Sequence, residues 1–277
     1  MKVLVIGGGG RCHAIVDALG RSPRVTKIWC APGNAGIARQ AECVPLRDTD
    51  VEGLLAFARR EGADLTVVGP ESALAAGIVD AFRAAGLRIF GPTQAAARIE
   101  TSKRFAKELM LRYAVPTAAY RVFSDYGEAA DYVRSQPLPA VLKYDGLAAG
   151  KGVVIARTPG EADAALRDML LDDRFGHGQV VVEEFMEGPE FSLMCFVAGR
   201  RVVPMALAQD HKRAYDGDRG PNTGGMGACS PLPFITPEEE RWAVEHVMQP
   251  VADALADEGC PFTGCLLYTS DAADEAR

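Results

Sequence analysis

Short apolar runs alternate with amphipathic stretches through the first third of the chain. Residues 2–6, 27–30, 65–68 and 88–90 have the length and composition of buried strands. Helical periodicity follows at 14–19, 51–60 and 73–85. Strand and helix in alternation predict a parallel sheet with crossover helices. Gly91-Pro92 closes this part. The pattern then changes. One long helix is expected over 95–113, broken by Val115-Pro116-Thr117. Residues 140–144 and 153–156 read as two strands joined by a glycine-rich turn, a hairpin and not a strand-to-helix step. A helix is expected over 161–171 and strands over 179–185, 190–197 and 201–208. The first part is therefore α/β and the second α+β.

Composition narrows the classes. A chain of 277 residues is long enough for two domains, and 48% hydrophobic with 24% charged residues sets aside disordered and fibrous proteins. The net charge of −7 argues against a nucleic-acid partner. Small anions stay open, because local Arg, Lys and N–H groups bind them whatever the total. The run Val3-Leu4-Val5-Ile6 is too short for a signal-peptide core or a membrane helix, so no membrane partner is expected. The seven cysteines are scattered without a Cys-x-x-Cys pair. That speaks against zinc or a disulfide framework and for a reduced, cytoplasmic protein.

Three glycine-bearing loops follow the early strands. Gly7-Gly8-Gly9-Gly10-Arg11 opens a helix, where backbone N–H groups can approach an anion. The dinucleotide fingerprint is not met: counted from Gly7, its third glycine position is Cys12. The acidic ribose reader expected about 20 residues on is replaced by Ala31-Pro32-Gly33-Asn34. Gly69-Pro70-Glu71 also follows a strand. Ligands in open parallel sheets sit at strand carboxyl ends. Gly9, Gly10, Asn34 and Glu71 are therefore expected to line a pocket for a sugar phosphate, with plain tight turns as the alternative.

The stretch from Leu142 to Val153 carries Lys143 and a second glycine loop, Gly146 to Gly152. It is not a P-loop. The spacing from Gly146 is one residue short, Lys151 precedes Gly152 where Ser or Thr should stand, and a strand follows. A glycine hairpin with lysines suits a flap over a triphosphate, with Lys143 as a fixed cation; a solvated hairpin is the alternative. Next, Val180-Val181-Val182-Glu183-Glu184-Phe185-Met186 is a strand ending in carboxylates. Backbone groups around Glu183–Met186 could meet an adenine edge and Glu190 a ribose, or the acids could simply be solvated. Asp210-His211-Lys212-Arg213 lies close before Gly220-Pro221-Asn222-Thr223-Gly224-Gly225-Met226-Gly227. A cationic patch beside N–H-rich turns suits an anion or a carboxylate. No Ser-His-Asp or Cys-His arrangement is indicated.

In this order the segments resemble the phosphoribosylamine–glycine ligase family of ATP-grasp enzymes. The matching stretches also include Ala31 to Gly36, Val68 to Glu71 and Ile89 to Thr93, and they run to about Gly264. The resemblance implies a Rossmann-like, substrate-binding domain at 1–100 and an ATP-grasp domain at 101–264, with a flap subdomain at about 117–190. It implies ATP with Mg2+ or Mn2+, glycine and 5-phosphoribosylamine as small-molecule partners. The family's reaction forms glycinamide ribonucleotide through a glycyl phosphate. It assigns Lys103, Lys143, Gly146, Gly150, Lys151, Gly152, Glu183, Glu184, Phe185, Met186 and Glu190 to ATP. Gly9, Gly10, Arg11, Gly33, Asn34, Gly69, Pro70, Glu71, Asn222, Thr223, Gly224 and Gly225 go to substrates. Asp210, Lys212 and Arg213 go to the chemistry.

Two departures stand out. The family's first loop reads Gly-Asn-Gly-Gly-Arg-Glu-His-Ala, whereas here Gly8 and Cys12 replace Asn and Glu. After Gly264 the family continues towards a metal-binding Glu and Asn, whereas 265–277 runs into Asp271-Ala272-Ala273-Asp274-Glu275-Ala276-Arg277. The sequence is thus read as an ATP-grasp domain incomplete at its C-terminus, lacking metal ligands and inactive by itself. The competing readings are another ATP-grasp carboxylate–amine ligase, an inactive nucleotide-binding fragment and, more distantly, a dinucleotide oxidoreductase.

Overall fold

The structure, a computed structural model, describes residues 1–146, 152–172, 178–188, 190–211, 213–217, 219–223 and 225–267, and the backbone alone at 213 and 219–222. Gly150, Lys151, Lys212, Gly224 and the acids of the tail lie outside these residues, as do the side chains of Arg213 and Asn222. The chain divides into two compact units, one of Met1–Arg98 with Gly259–Gly264 and one of Ile99–Glu258 with the residues from Cys265.

The first unit is a parallel five-stranded sheet. Its strands are β1 (Lys2–Gly7), β2 (Lys27–Pro32), β3 (Glu42–Cys43), β4 (Leu65–Val68) and β5 (Ile89–Phe90), in the order β3-β2-β1-β4-β5. Successive side chains of a strand face opposite sides. In β1, Leu4 and Ile6 therefore join Trp29, Phe57 and Phe82 in one core, while Val3 and Val5 join Cys12, Val16 and Ile28 in the other. Burial on both faces is why this strand reads as an unbroken apolar run. The helices are α1 (Gly10–Gly20), α2 (Val51–Glu61), α3 (Glu71–Ala75) and α4 (Ile78–Ala84). Asp50 caps α2 by accepting from Gly53 N (3.0 Å), and Gly62 ends it in the left-handed region. The single helix expected over 73–85 is two, because Gly77 adopts φ +80° between them.

The helix expected over 95–113 is also two, α5 (Gln94–Thr101) and α6 (Lys103–Arg112). Ser102 is extended (φ −134°, ψ 110°), and its Oγ accepts from Phe105 N at 3.1 Å, which starts the second helix. The second unit then folds β6 (Tyr120–Phe123), α7 (Tyr126–Ser135), β7 (Ala140–Tyr144), β8 (Val153–Ala156), α8 (Pro159–Leu170) and β9 (Val180–Glu184). The four strands form an antiparallel sheet in the order β6-β9-β7-β8. Leu142, Tyr144, Val180 and Val182 pack with Ala129 and Val133 of α7 and Leu166 and Met169 of α8. The alternate positions, Lys143 and Glu183 among them, take the other face. β6 and α7 carry no expectation from the sequence reading.

Beyond β9 come β10 (Met194–Ala198), β11 (Arg201–Pro204), β12 (Gln209–Asp210), β13 (Arg213–Tyr215), β14 (Arg219–Asn222) and β15 (Ala228–Cys229), then α9 (Pro237–Ala243), α10 (Gln249–Asp257) and β16 (Thr263–Leu267). The strands expected over 190–197 and 201–208 are thus shorter. β11, β10 and β16 form a three-stranded sheet in that order. Thr236 and Glu239 make a reciprocal capping box on α9. A π-helical turn, Val244–Met248, leads into α10, whose first turn holds Pro250, a residue with no N–H for the α ladder. No helix among the described residues is long and apolar enough to cross a membrane.

Leu142 is fully buried in β7. Leu142→Ala should cost about 2–5 kcal/mol of stability, read as a lower urea midpoint. An unchanged midpoint would place Leu142 outside the core.

Candidate functional site

In the first unit, three loops meet at the carboxyl ends of β1, β2 and β4. Gly7 adopts φ +121°, and a Cβ there would collide with Cys12 Sγ. Gly33 adopts φ +73° and donates its N–H to Gly7 O at 3.2 Å. Asn34 ties the loops together: its Nδ2 donates to Gly8 O (2.7 Å), and its Oδ1 accepts from Gly36 N (2.8 Å) and Ile37 N (2.9 Å). Arg11 donates to Gly69 O (2.7 Å) and pairs with Glu71 Oε1 (3.0 Å). Pro70 caps α3 and Glu71 begins it. Gly9, Gly10, Arg11, Gly33, Asn34, Gly69, Pro70 and Glu71 are therefore brought together.

Gly9 caps α1 without any side-chain bond, and no acidic residue stands in the first turn. A Cβ on Gly9 or Gly10 would meet no atom within 4 Å. The protein's own packing therefore does not require glycine there, and the helix presents open N–H groups at its positive end. Beneath them Cys12, which stands where the family pattern has Glu, is buried with its thiol donating to Ile6 O at 3.4 Å. Burial pushes the Cys12 thiol up, and pushes that of Cys30 up to about 12. These thiols stay protonated and act as packing groups, not nucleophiles.

The second unit concentrates charge in its interior. Lys107 and Lys143 are 1% exposed and Glu183 is 3% exposed. One oxygen, Glu183 Oε2, takes both ammoniums, Lys107 at 2.8 Å and Lys143 at 3.3 Å. Lys107 also donates to Thr117 Oγ1 (2.8 Å) and Ala118 O (3.4 Å). Desolvation lowers the Lys107 pKa against the pull of Glu183. Glu183 Oε1 is buried with no hydrogen-bond partner. Lys103 is buried one turn before Lys107 on α6, and Glu190 is buried as well. Glu184 points away from this cluster's carboxylate duty: its Oε1 accepts from Ala119 N at 2.8 Å. The Phe185 ring lies under the Arg157 guanidinium at 5.9 Å, and Met186 is half-buried. The hairpin stem closes through Tyr144 N to Gly152 O at 2.7 Å, and Gly146 takes φ +154°. Sequence reading passed over Lys107; the signal was its i, i+4 spacing from Lys103, which puts both on one helix face.

The third cluster is built from paired strands. Asp210 of β12 lies opposite Ala228 of β15, and Arg213 of β13 opposite Asn222 of β14. His211 N donates to Gly227 O (2.8 Å) and Met226 N to His211 O (2.7 Å). Thr223 Oγ1 accepts from Gly225 N at 3.1 Å. The two motifs are thus cross-strand neighbours.

A parallel α/β unit followed by an antiparallel sheet carrying buried lysines defines an ATP-grasp chain, and the comparisons agree. Residues 1–100 match the phosphoribosylglycinamide synthetase N domain and residues 101–270 the ATP-grasp (A) domain of the same enzyme. The chain belongs to the phosphoribosylglycinamide synthetase family. It is 53% identical over 270 residues to phosphoribosylamine–glycine ligase of Xylella fastidiosa, covering 96% of this chain and 63% of that one. The ligase of Halalkalibacterium halodurans is 52% identical over 268 residues, with the same two coverages. A crystal structure of phosphoribosylamine–glycine ligase from Thermotoga maritima superposes with a TM-score of 0.82 at 30% identity, covering 96% of this chain and 64% of that one. The biotin carboxylase domain of the Hydrogenobacter thermophilus 2-oxoglutarate carboxylase shares the fold, with a TM-score of 0.70 at 15% identity over 96% of this chain and 63% of that one. The chain therefore spans a little under two thirds of the length of these relatives.

Glu183→Gln removes the carboxylate that two buried ammoniums share, and should cost about 3–5 kcal/mol. Lys107→Met leaves a one-to-one pair and should cost clearly less in the same denaturant titration; the reverse order would refute the arrangement. The pH dependence has a definite sign. Lys107 has a folded pKa below its ordinary 10.5, so between those values the unfolded chain binds more protons. Its contribution to stability is present above the ordinary value and is lost as pH falls through the folded one. Lys107→Met should flatten that alkaline rise, measured as unfolding free energy against pH.

Proposed function

We propose that this chain carries the ATP and phosphoribosylamine sites of a ligase joining glycine to 5-phosphoribosylamine, giving glycinamide ribonucleotide, ADP and phosphate. The observation that carries the reading is the buried cluster of Lys107, Lys143 and Glu183, two cations on one anion. Such a cluster gathers buried ammonium groups in a dry setting, where their pull on an anion is worth more than in water. Lys143 and Lys103 would neutralise nucleotide phosphates, joined by Gly146, Gly150, Lys151 and Gly152. The buried, unpaired Glu183 Oε1 would accept from the adenine amine, beside Glu184, Phe185 and Met186, and Glu190 would hold the ribose. In the first unit, the N–H groups at Gly9 and Gly10 would take the sugar phosphate, with Arg11, Gly33, Asn34, Gly69, Pro70 and Glu71 shaping the pocket. The domain roles follow: 1–100 for phosphoribosylamine, 101–264 for ATP.

The chemistry needs little beyond positioning and charge. A carboxylate oxygen of glycine takes the γ-phosphoryl group, releasing ADP. The phosphoribosylamine nitrogen then attacks the acyl carbon, a C–N bond forms, and phosphate leaves with the C–O electron pair. Asp210, Lys212 and Arg213, with Asn222, Thr223, Gly224 and Gly225, would orient glycine and offset phosphoryl charge. Mg2+ or Mn2+ would accompany the nucleotide phosphates. Among the described residues no three His, Cys, Asp or Glu side chains converge as metal ligands. The buried free thiols of Cys12, Cys30 and Cys195 fit a reducing, cytoplasmic setting.

Two measurements test this. Calorimetric titration should show ATP binding, weakened roughly 10- to 100-fold by Lys143→Ala, the scale of one lost charge-assisted bond. In a ligase of the relatives' full length, ADP release should require both glycine and freshly made phosphoribosylamine. ATP binding there without such release would favour a nucleotide-binding protein. ADP release driven by another carboxylate would favour a different ATP-grasp ligase. Unchanged ATP affinity in Lys143→Ala would remove the phosphate assignment.

A further inference from the structure

One acidic residue joins the strand that carries Lys143 to the helix that carries Lys103 and Lys107. Asp145 lies just past the end of β7, two residues after Lys143. Its Oδ1 accepts from Arg104 N at 3.1 Å and its Oδ2 from Ser102 Oγ at 3.3 Å. Ser102 Oγ in turn accepts from Phe105 N at 3.1 Å. The first turn of α6 is therefore capped twice, once from within the helix and once from the neighbouring strand. Asp145 is itself anchored, because its N–H donates to Gln179 O at 2.8 Å. Arg104 reinforces the link by donating to Gln179 Oε1 (2.9 Å) and Glu108 Oε1 (2.7 Å), and Gln179 Nε2 donates to Ser124 Oγ at 2.8 Å.

This arrangement has an electrostatic logic. The N-terminus of a helix attracts anions, and would compete with lysines for a phosphate. A carboxylate beside a phosphate site is also unfavourable unless its charge is otherwise engaged. With both oxygens of Asp145 turned onto α6, each problem offsets the other. The geometry left for an anion is then set by the lysines on α6 and β7, whose separation depends on this cap.

We propose that Asp145 is a positioning residue that fixes Lys103 and Lys107 relative to Lys143 for nucleotide phosphates; it rests on the nucleotide reading above. The two Asp145 oxygens are engaged by Arg104 N and Ser102 Oγ, and on this proposal the residue does not touch the nucleotide. The test uses the full 277-residue chain and compares ATP with adenosine as ligands, alongside thermal melts. Asp145→Ala should weaken ATP binding roughly 3- to 30-fold, the scale of a lost helix cap, and leave adenosine affinity within about twofold. Asp145→Asn, which keeps one acceptor oxygen, should recover most of the loss. In a Lys143→Ala background the further effect of Asp145→Ala should shrink, since its target is gone. Unchanged ATP affinity in Asp145→Ala, or equal loss of ATP and adenosine with a collapsed melting point, would overturn the proposal. A wild-type chain that binds adenosine but not ATP would overturn the nucleotide-phosphate reading and this proposal together.

Discussion

Glu183 faces two ammonium groups in a part of the molecule that water does not reach. Desolvating three charges is costly, and their mutual attraction recovers that cost only in close geometry with the remaining donors satisfied. Much of the second unit meets those conditions. Strand alternation keeps Lys143 and Glu183 on the face away from α7 and α8, while Leu142 and Val182 hold the other face in the core. Val141 lies opposite Glu183 and Lys143 opposite Val181, so the two charged side chains are diagonal neighbours across β7 and β9. Thr117 and Ala118 take protons of Lys107 that the carboxylate does not. A slip of one residue between β7 and β9 would turn charge into the apolar core, so the sheet register is tightly specified.

The first unit solves a different problem, that of presenting backbone donors without burying them. The sheet places three loops at neighbouring strand ends, and Asn34 spans two of them by satisfying both a carbonyl and two N–H groups. What remains open is the first turn of α1, uncapped and without acids. The departure at Cys12 is absorbed at this point. Its sulfur occupies the space between Gly7 and Gly69, where a Cβ on either would collide with it. A small, uncharged side chain under the loop adds no negative charge at the positive end of α1.

On the proposed function, each unit offers an anion polar groups whose own charge is matched in part. In the sheet of the second unit the matching is a shared carboxylate, and in the first it is backbone dipole. The third cluster extends this, with the Asp210 and Arg213 strands paired to the glycine-rich loop in register.

Local patterning was enough for much of this. The apolar run of β1, the glycine turns after β1 and β4, and the strands β7 and β8 were legible, because period and turn chemistry are local properties. The motifs at Lys143, Glu183 and Asp210 were legible as candidates for the same reason. Helix breaks were not: 73–85 and 95–113 keep an apolar rhythm across Gly77 and Ser102, and only the tertiary path decided that the chain turns there. β6 escaped because Tyr120–Phe123 is only four residues long and is held by its pairing with β9; α7 was legible and passed over, for Asp125 caps it and Tyr126, Ala129, Ala130 and Val133 fall at i, i+3, i+4 and i+7. Lys107, Thr117 and Asp145 escaped for the deepest reason. A buried lysine and a solvated one are the same letter, and what separates them is a partner 76 residues away for Lys107, at Glu183, and 41 residues away for Asp145, at Arg104. Sequence alone determined which residues could bear charge or bend the chain; the fold decided which charges meet, because burial and pairing are properties of distance in space.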